Sequence, residues 1–266
     1  MTNISKTLVF FGNEKLATGV VNVQSVILRA IEAAGFTIEQ NLTGPLSDLR
    51  PHQAQLAVLV AYGHVIPQHV LDEFPLGVIN VHPSLLPTYR GSTPIEQTIL
   101  DGSTEAGVSI MKLVSGMDEG PIYGQQSLEL SGHESKQELT ETLQQLGAVL
   151  LTNLLTSIAD GSLIPKVQLG EVSYTKRLEK ADGTIDSAKP ATQLEREVRA
   201  YQGWPKSRTE IAGNSVIITK AHVSTDSKTP LDILCGDGVY LSIDEIIAPS
   251  GRTMNASAFL NGYAAG

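Results

Sequence analysis

The chain has 266 residues, 41% hydrophobic and 18% charged, an ordinary globular composition with room for two domains. A net charge of −9 argues against broad, non-specific nucleic-acid binding, and no apolar run reaches the ~18–20 residues that cross a bilayer. A single cysteine, Cys235, excludes an internal disulfide and a cysteine-built metal site, leaving a buried small hydrophobe as its expected role.

Residues 7–11 are a β-branched and aromatic run ending at Gly12, which predicts a buried first strand. Residues 1–6 lack the basic region and cleavage site of a secretory leader, so a cytoplasmic protein is expected. Val23, Ile27, Ala30 and Ala34 recur at helical spacing, with Gly35 as the stop. Residues 56–61 predict a second buried strand before the Tyr62-Gly63 turn, 78–81 a third, and 94–100 a short helix. Residues 108–114 predict another strand. Ser135 with Glu138 forms a capping box that opens a long helix marked by Leu139, Leu143, Leu146, Leu150 and Leu154. Strands alternating with helices imply an α/β fold, a mainly parallel twisted sheet with helices on both faces.

The pattern changes after Gly161. Residues 162–180 carry Pro165, Gly170 and four basic side chains without a sustained period, as a linker would. A second capping box, Thr192 with Glu195, predicts a helix through Leu194, Val198 and Tyr201, ended by Gly203 and Pro205. Strand-like runs at 215–223, 231–234 and 238–247 predict a small β-barrel or sandwich. The expected division is a catalytic domain at 1–161, a linker at 162–180 and a C-terminal β-rich domain at 181–266.

Chemistry concentrates in Asn80-Val-His-Pro-Ser-Leu-Leu-Pro87, directly after the apolar run 76–79. Side chains two apart on a strand share a face, so Asn80 and His82 present an amide and an imidazole together at the strand's carboxyl end. In open α/β sheets the ligand crevice lies along that edge. An amide donor beside a titratable ring suits a reaction in which an oxygen gains negative charge while protons move. Residues 12–19 do not match the dinucleotide-binding glycine pattern, and no Walker loop, His-Glu-x-x-His motif or paired-carboxylate motif occurs. A nucleotide-dependent dehydrogenase or kinase is therefore disfavoured, and no metal is implied.

The block from Asn80 to Ile95, with Gly107-Val-Ser-Ile-Met111 and Gly116-Met-Asp-Glu-Gly120, resembles the 10-formyltetrahydrofolate-dependent formyltransferases. Val60-Ala-Tyr-Gly63, Arg90-Gly91 and Tyr201-x-x-Trp-Pro205 make the sequence most similar to the methionyl-tRNA branch of that superfamily. The resemblance implies a formyltransferase fold with a small OB-like β-barrel domain, shortened here. It implies formyl transfer from 10-formyltetrahydrofolate to the α-amino group of initiator methionyl-tRNA, by a monomer without a metal. It also implies a catalytic trio of Asn80, His82 and Asp118. Asn80 and a protonated His82 would hydrogen-bond the oxyanion of a tetrahedral intermediate. Asp118 would hold the ring or a water and help carry a proton from the amine to the leaving nitrogen. Ser84, Leu85, Leu86 and Pro87 should line the folate site, with a cis Leu86–Pro87 bond. The pterin would bond to backbone near His64, Val65 and Ile66 and in the loop from Val114 to Asp118. His64 itself reads as a partly exposed turn residue, and His52, His133 and His222 receive no role.

Two departures concern the acceptor. Residues 42–51 are compact and carry one basic side chain, Arg50, where the family has a longer basic insertion, and the C-terminal region is short. Formyl transfer to an amino sugar or another small amine is the alternative enzyme reading. A folate deformylase finds no regulatory domain to support it, and a catalytically silent folate- or RNA-binding homologue has no need to retain the whole trio.

Overall fold

The computed structural model describes residues 6–12, 23–211 and 213–263. The segment 13–19, where a phosphate-binding fingerprint was excluded on sequence grounds, lies outside them, as does the side chain of Val23. Contacts divide the chain into two compact units. The first takes in residues 1–94, 104–130 and 138–176; the second takes in 177–266 together with 95–103 and 131–137.

The first unit is built on β1 (Thr7–Gly12), β2 (Thr37–Leu42), β3 (Leu56–Val60), β4 (Gly77–His82), β5 (Glu105–Lys112) and β6 (Ile122–Glu129), ordered β2-β1-β3-β4-β5-β6. The first four strands run parallel, and β5 and β6 continue the sheet antiparallel. Two strands escape the sequence pattern. β2 reads Thr-Ile-Glu-Gln-Asn-Leu and is half-exposed at an edge, and β6 at the other edge carries Gln125, Gln126 and Glu129. Edge strands bury too little to require an apolar run. The strand expected at 108–114 lies earlier, at 105–112, with the Leu113 amide making a last bond to the Val78 carbonyl just beyond its end.

Helices α1 (Val23–Ala33), α2 (Gln68–Leu71) and α4 (Lys136–Ala159) accompany these strands, whereas α3 (Pro94–Leu100) falls almost wholly in the second unit. Val78 joins Val70, Leu71 and Phe74 in one apolar cluster, whereas Gly147 of α4 lies against Val81 and Val108. Since 78 and 81 have opposite parity on β4, α2 and α4 cover opposite faces. The buried stripe of α4 runs through Leu139, Leu143, Ala148, Leu151, Leu155 and Ile158. Leu146, Leu150 and Leu154, expected on that stripe, sit beside it half-buried, and the last two lie closest to Gly124. Among the described residues, no helix is long and apolar enough to cross a membrane.

The expected linker does not behave as one. Residues up to Lys176 belong to the first unit, with Lys166 bridging to Ile122 and Tyr174 to Arg90.

The second unit holds α5 (Ala191–Ala200), a five-stranded antiparallel sheet of β7 (Ser207–Ile211), β8 (Asn214–Ser224), β9 (Ile233–Leu234), β10 (Tyr240–Ile247) and β11 (Thr253–Asn255), and a closing helix, α6 (Ala256–Tyr263). The strands pair in the order β11-β10-β8-β7, with β9 on β10. The Thr192–Glu195 capping box is not formed. Pro190 is the N-cap without a side-chain bond, Thr192 lies inside α5, and Glu195 pairs instead with Arg199 at 2.6 Å. An i,i+4 ion pair on the helix surface competes with the cap for the same carboxylate.

Leu194, Val198, Ile218, Leu241, Ile246 and Phe259 form the second unit's core, so α6, unread in the sequence, supplies a fully buried ring. Phe259→Ala should lower the stability of this unit by about 3–5 kcal/mol, visible as an earlier melting transition. A shift within a few tenths of a kcal/mol would show that α6 is not part of that core.

Candidate active site

Strand parity explains why the polar residues meet. The pairings His82–Ser109 and Ser109–Gln125 place three polar side chains in one row across β4, β5 and β6. Asn80 lies on the same face, two residues before His82. Asn80, His82, Ser84 and Ser109 are all buried. Buried polar groups such as these cost free energy unless they are bonded, and here they are.

Ser109 Oγ donates to the Ser84 carbonyl at 2.6 Å and accepts from the Leu86 amide at 3.0 Å. Gln125 Nε2 donates to the Leu86 carbonyl and to Ser109 Oγ, both at 2.8 Å. Ser84 Oγ in turn donates to the Thr88 carbonyl at 2.6 Å. The turn Ser84-Leu85-Leu86-Pro87, whose Leu86–Pro87 bond is cis as expected, is thus pinned to the sheet at both ends. Ser109 stands inside Gly107-Val-Ser-Ile-Met111, but its spacing alone does not reveal this task. Gln125 had no sequence signal.

The trio converges. Asp118 Oδ1 accepts from Asn80 Nδ2 at 3.5 Å, and Asp118 Oδ2 lies 3.8 Å from His82 Nδ1 and accepts from the Gly91 amide at 2.8 Å. His82 Nε2 is 3.0 Å from the Tyr89 carbonyl. A carbonyl only accepts, so Nε2 carries the proton and a neutral ring turns its Nδ1 lone pair toward Asp118. Burial holds the His82 pKa below its ordinary value of 6.5, opposed by the Asp118 charge and the Tyr89 carbonyl. A neutral imidazole beside a carboxylate is poised to take a proton, because the charged ring would then gain an ion pair.

Tyr89 and Asp118 both adopt left-handed backbone, with φ of 59° and 50°. Such conformations cost free energy in non-glycine residues and persist where surrounding bonds enforce them. At Gly120 a Cβ would lie 1.7 Å from the Lys112 carbonyl oxygen, so only glycine lets the chain return beside β5 after Asp118.

The loop is further held by side chains that the sequence reading gave no role. Arg90, buried, gives Nε and Nη2 to Gln168 Oε1 at 3.2 and 2.8 Å and Nη1 to Tyr174 Oη at 3.1 Å. Its Nη1 also lies 3.5 Å from Glu119 Oε1. Gln168 Nε2 donates to the carbonyls of Asp118 at 2.7 Å and Gly120 at 2.8 Å.

The remaining sequence-predicted residues divide. Val114 lines a cavity with Ser115, Leu71, Val78, Asp72 and Gln68. Ile66 is buried just before α2, whereas Val65 is 87% exposed and His64 is exposed with its ring 5.1 Å from Tyr62. Leu85 is half-buried against Gly107. Of the other histidines, the His52 ring is shielded and stacks on Phe74 at 4.6 Å, and His222 meets Asp244 at 3.0 Å on the second unit's sheet. Neither reaches the trio's carboxylate or amide in any recorded bond.

The chain matches a family described as formyl transferase over residues 9–155, and that family's C-terminal domain over residues 177–264. A methionyl-tRNA formyltransferase of Solibacter usitatus is 35% identical over 229 residues, covering 82% of this chain and 73% of the relative. Among solved structures, HypX from Aquifex aeolicus in complex with tetrahydrofolic acid is similar at a TM-score of 0.73 and 15% identity, over 97% of this chain and 47% of that one. A methionyl-tRNA formyltransferase from Clostridium thermocellum is similar at a TM-score of 0.63 and 14% identity, over 91% of this chain and 99% of that one.

Proposed function

The chain belongs to the formyl transferase family, and from that premise we propose that it moves a formyl group from 10-formyltetrahydrofolate to the α-amino group of initiator methionyl-tRNA, as a cytoplasmic monomer. The observation that carries the mechanism is the convergence of Asn80, His82 and Asp118 on one spot at the carboxyl end of β4. The relatives' shared acceptor supports the tRNA half of the proposal.

The folate supplies the formyl carbon when bound. The cavity beside Val114 and Ser115, lined by apolar Leu71 and Val78 and polar Gln68 and Asp72, is the proposed seat of its planar heterocycle. The pinned turn Ser84–Pro87 forms a rigid wall of the site, close to His82 in the chain. Asn80 Nδ2 turns from its long bond with Asp118 to donate to the formyl oxygen as negative charge builds there. Rather than starting protonated as an oxyanion donor, His82 begins neutral: its Nδ1 takes the proton lost by the attacking amine and, once charged, is stabilised by Asp118. Returning that proton to N10 would let the carbon–nitrogen bond to the folate break once the new one is complete. Charge and protons then balance with no other participant.

A second acceptor reading has a specific observation behind it. Residues 42–51 carry a single basic side chain, and the Arg50 backbone is bonded to Gln40 of β2 at 2.8 and 3.0 Å. Affinity for nucleic acid rests largely on phosphate neutralisation, so so few cations there favour a small amine such as an amino sugar. The deciding assay mixes purified protein and 10-formyltetrahydrofolate with charged initiator tRNA or with amino-sugar nucleotides and measures formylated product. Formyl-methionyl-tRNA is the expected product. Formylation of a sugar with none on tRNA would overturn the leading acceptor.

A further inference from the structure

We infer that Gln168 is a positioning residue for the reaction: it sets the Asp118 carboxylate by holding its backbone to the buried guanidinium of Arg90. This rests on the proposed role of Asp118. Gln168 falls between the two family-matched stretches, in the segment that composition marks as a linker. It alternates with exposed neighbours: Val167 and Leu169 are 75% and 83% exposed, while Gln168 is drawn inward.

All the bonding capacity aimed at the site is used. The two amide hydrogens go to the carbonyls of Asp118 and Gly120, and the amide oxygen accepts two bonds from Arg90. Arg90 is itself fixed by strand-like pairing: its amide donates to the Ser173 carbonyl and its carbonyl accepts from Thr175. The chain of support therefore runs from a bridged backbone through Arg90 and Gln168 to the peptide of Asp118. That peptide is where support is needed, because Asp118 sits in the left-handed region. Without it the loop can relax, the carboxylate drifts from His82 Nδ1, and a displacement of about 1 Å in a catalytic constellation is enough to cost 10²-fold.

The chemistry of the amide separates positioning from anchoring. A carboxylate at 168 still accepts from Arg90 but has no hydrogen for either carbonyl. A leucine there does neither. Both variants would be compared with wild type and with Asp118→Asn. The readouts are kcat, KM for 10-formyltetrahydrofolate with whichever acceptor wild type formylates, and NMR titration of the His82 ring in the full chain. Gln168→Glu is expected to lose about 10- to 100-fold in kcat with KM within about threefold. Gln168→Leu is expected to match that loss and to move the His82 titration to lower pH, the direction given by Asp118→Asn, because the charge that raises it has withdrawn. Wild-type kcat in Gln168→Glu overturns the inference. So does a loss in Gln168→Leu with an unmoved His82 titration, which marks a merely structural role. If Gln168→Leu does not fold, the kcat and KM of Gln168→Glu decide. Full turnover by Asp118→Asn would instead refute the trio itself, so the two failures are distinguishable.

Discussion

Asn80→Ala is expected to lower kcat by about 10²- to 10³-fold with little change in KM for the folate. The amide is buried on β4, and its recorded bond, 3.5 Å to Asp118 Oδ1, is too long to hold it strongly. Its N–H is therefore available where charge develops, and in a site shielded from water a pre-aimed donor of this kind contributes about 2.7–4 kcal/mol to the barrier. Asn80→Asp is the sharper control. It keeps the shape but puts a second carboxylate opposite Asp118, and it should be at least as impaired. Steady-state kinetics on both variants checks the claim; turnover within threefold of wild type for the alanine variant would remove Asn80 as the oxygen's donor.

His82→Ala is the second large effect, about 10²- to 10⁴-fold in kcat, the usual worth of a positioned acid–base group. The pH dependence is more diagnostic than the size. On the proposed mechanism the neutral ring accepts the amine's proton, so activity should be present above the His82 pKa and lost below it. Burial lowers that pKa from 6.5, and the acid limb of kcat/KM should therefore lie below pH 6.5. Stability moves in the same sense. The unfolded ring binds its proton near pH 6.5 and the folded ring only at lower pH, so stability from this group is complete above 6.5 and declines as pH falls through that window. A limb above 6.5, or one unchanged in a His82 variant with residual activity, would assign it to another group.

The legibility of the chain followed burial. β1, β3 and β4 were plain because strands covered on both faces must be apolar throughout. β2, β6 and β7 were not, since half-exposed strands dilute the signal with polar residues. The trio was visible because Asn80 and His82 sit two apart and because the surrounding motif resembles known formyltransferases. Ser109, Gln125 and Gln168 were invisible for a different reason. Their task is to bond backbone carbonyls and amides, and nothing in a carbonyl's own residue type announces that it needs a partner. The Thr192–Glu195 cap failed where a local rule met a nearer cation, Arg199.

The strip running through Gln168, Ser173 and Tyr174 has a consequence for anyone recombining such enzymes. A chimera joined near residue 161, where the long helix ends, would inherit Asn80, His82 and Asp118 from one parent and their brace from the other. Moving the junction to 177 keeps donor and brace together, and it coincides with the start of the second matched stretch. The heritable module for this chemistry is therefore longer than its recognisable motifs.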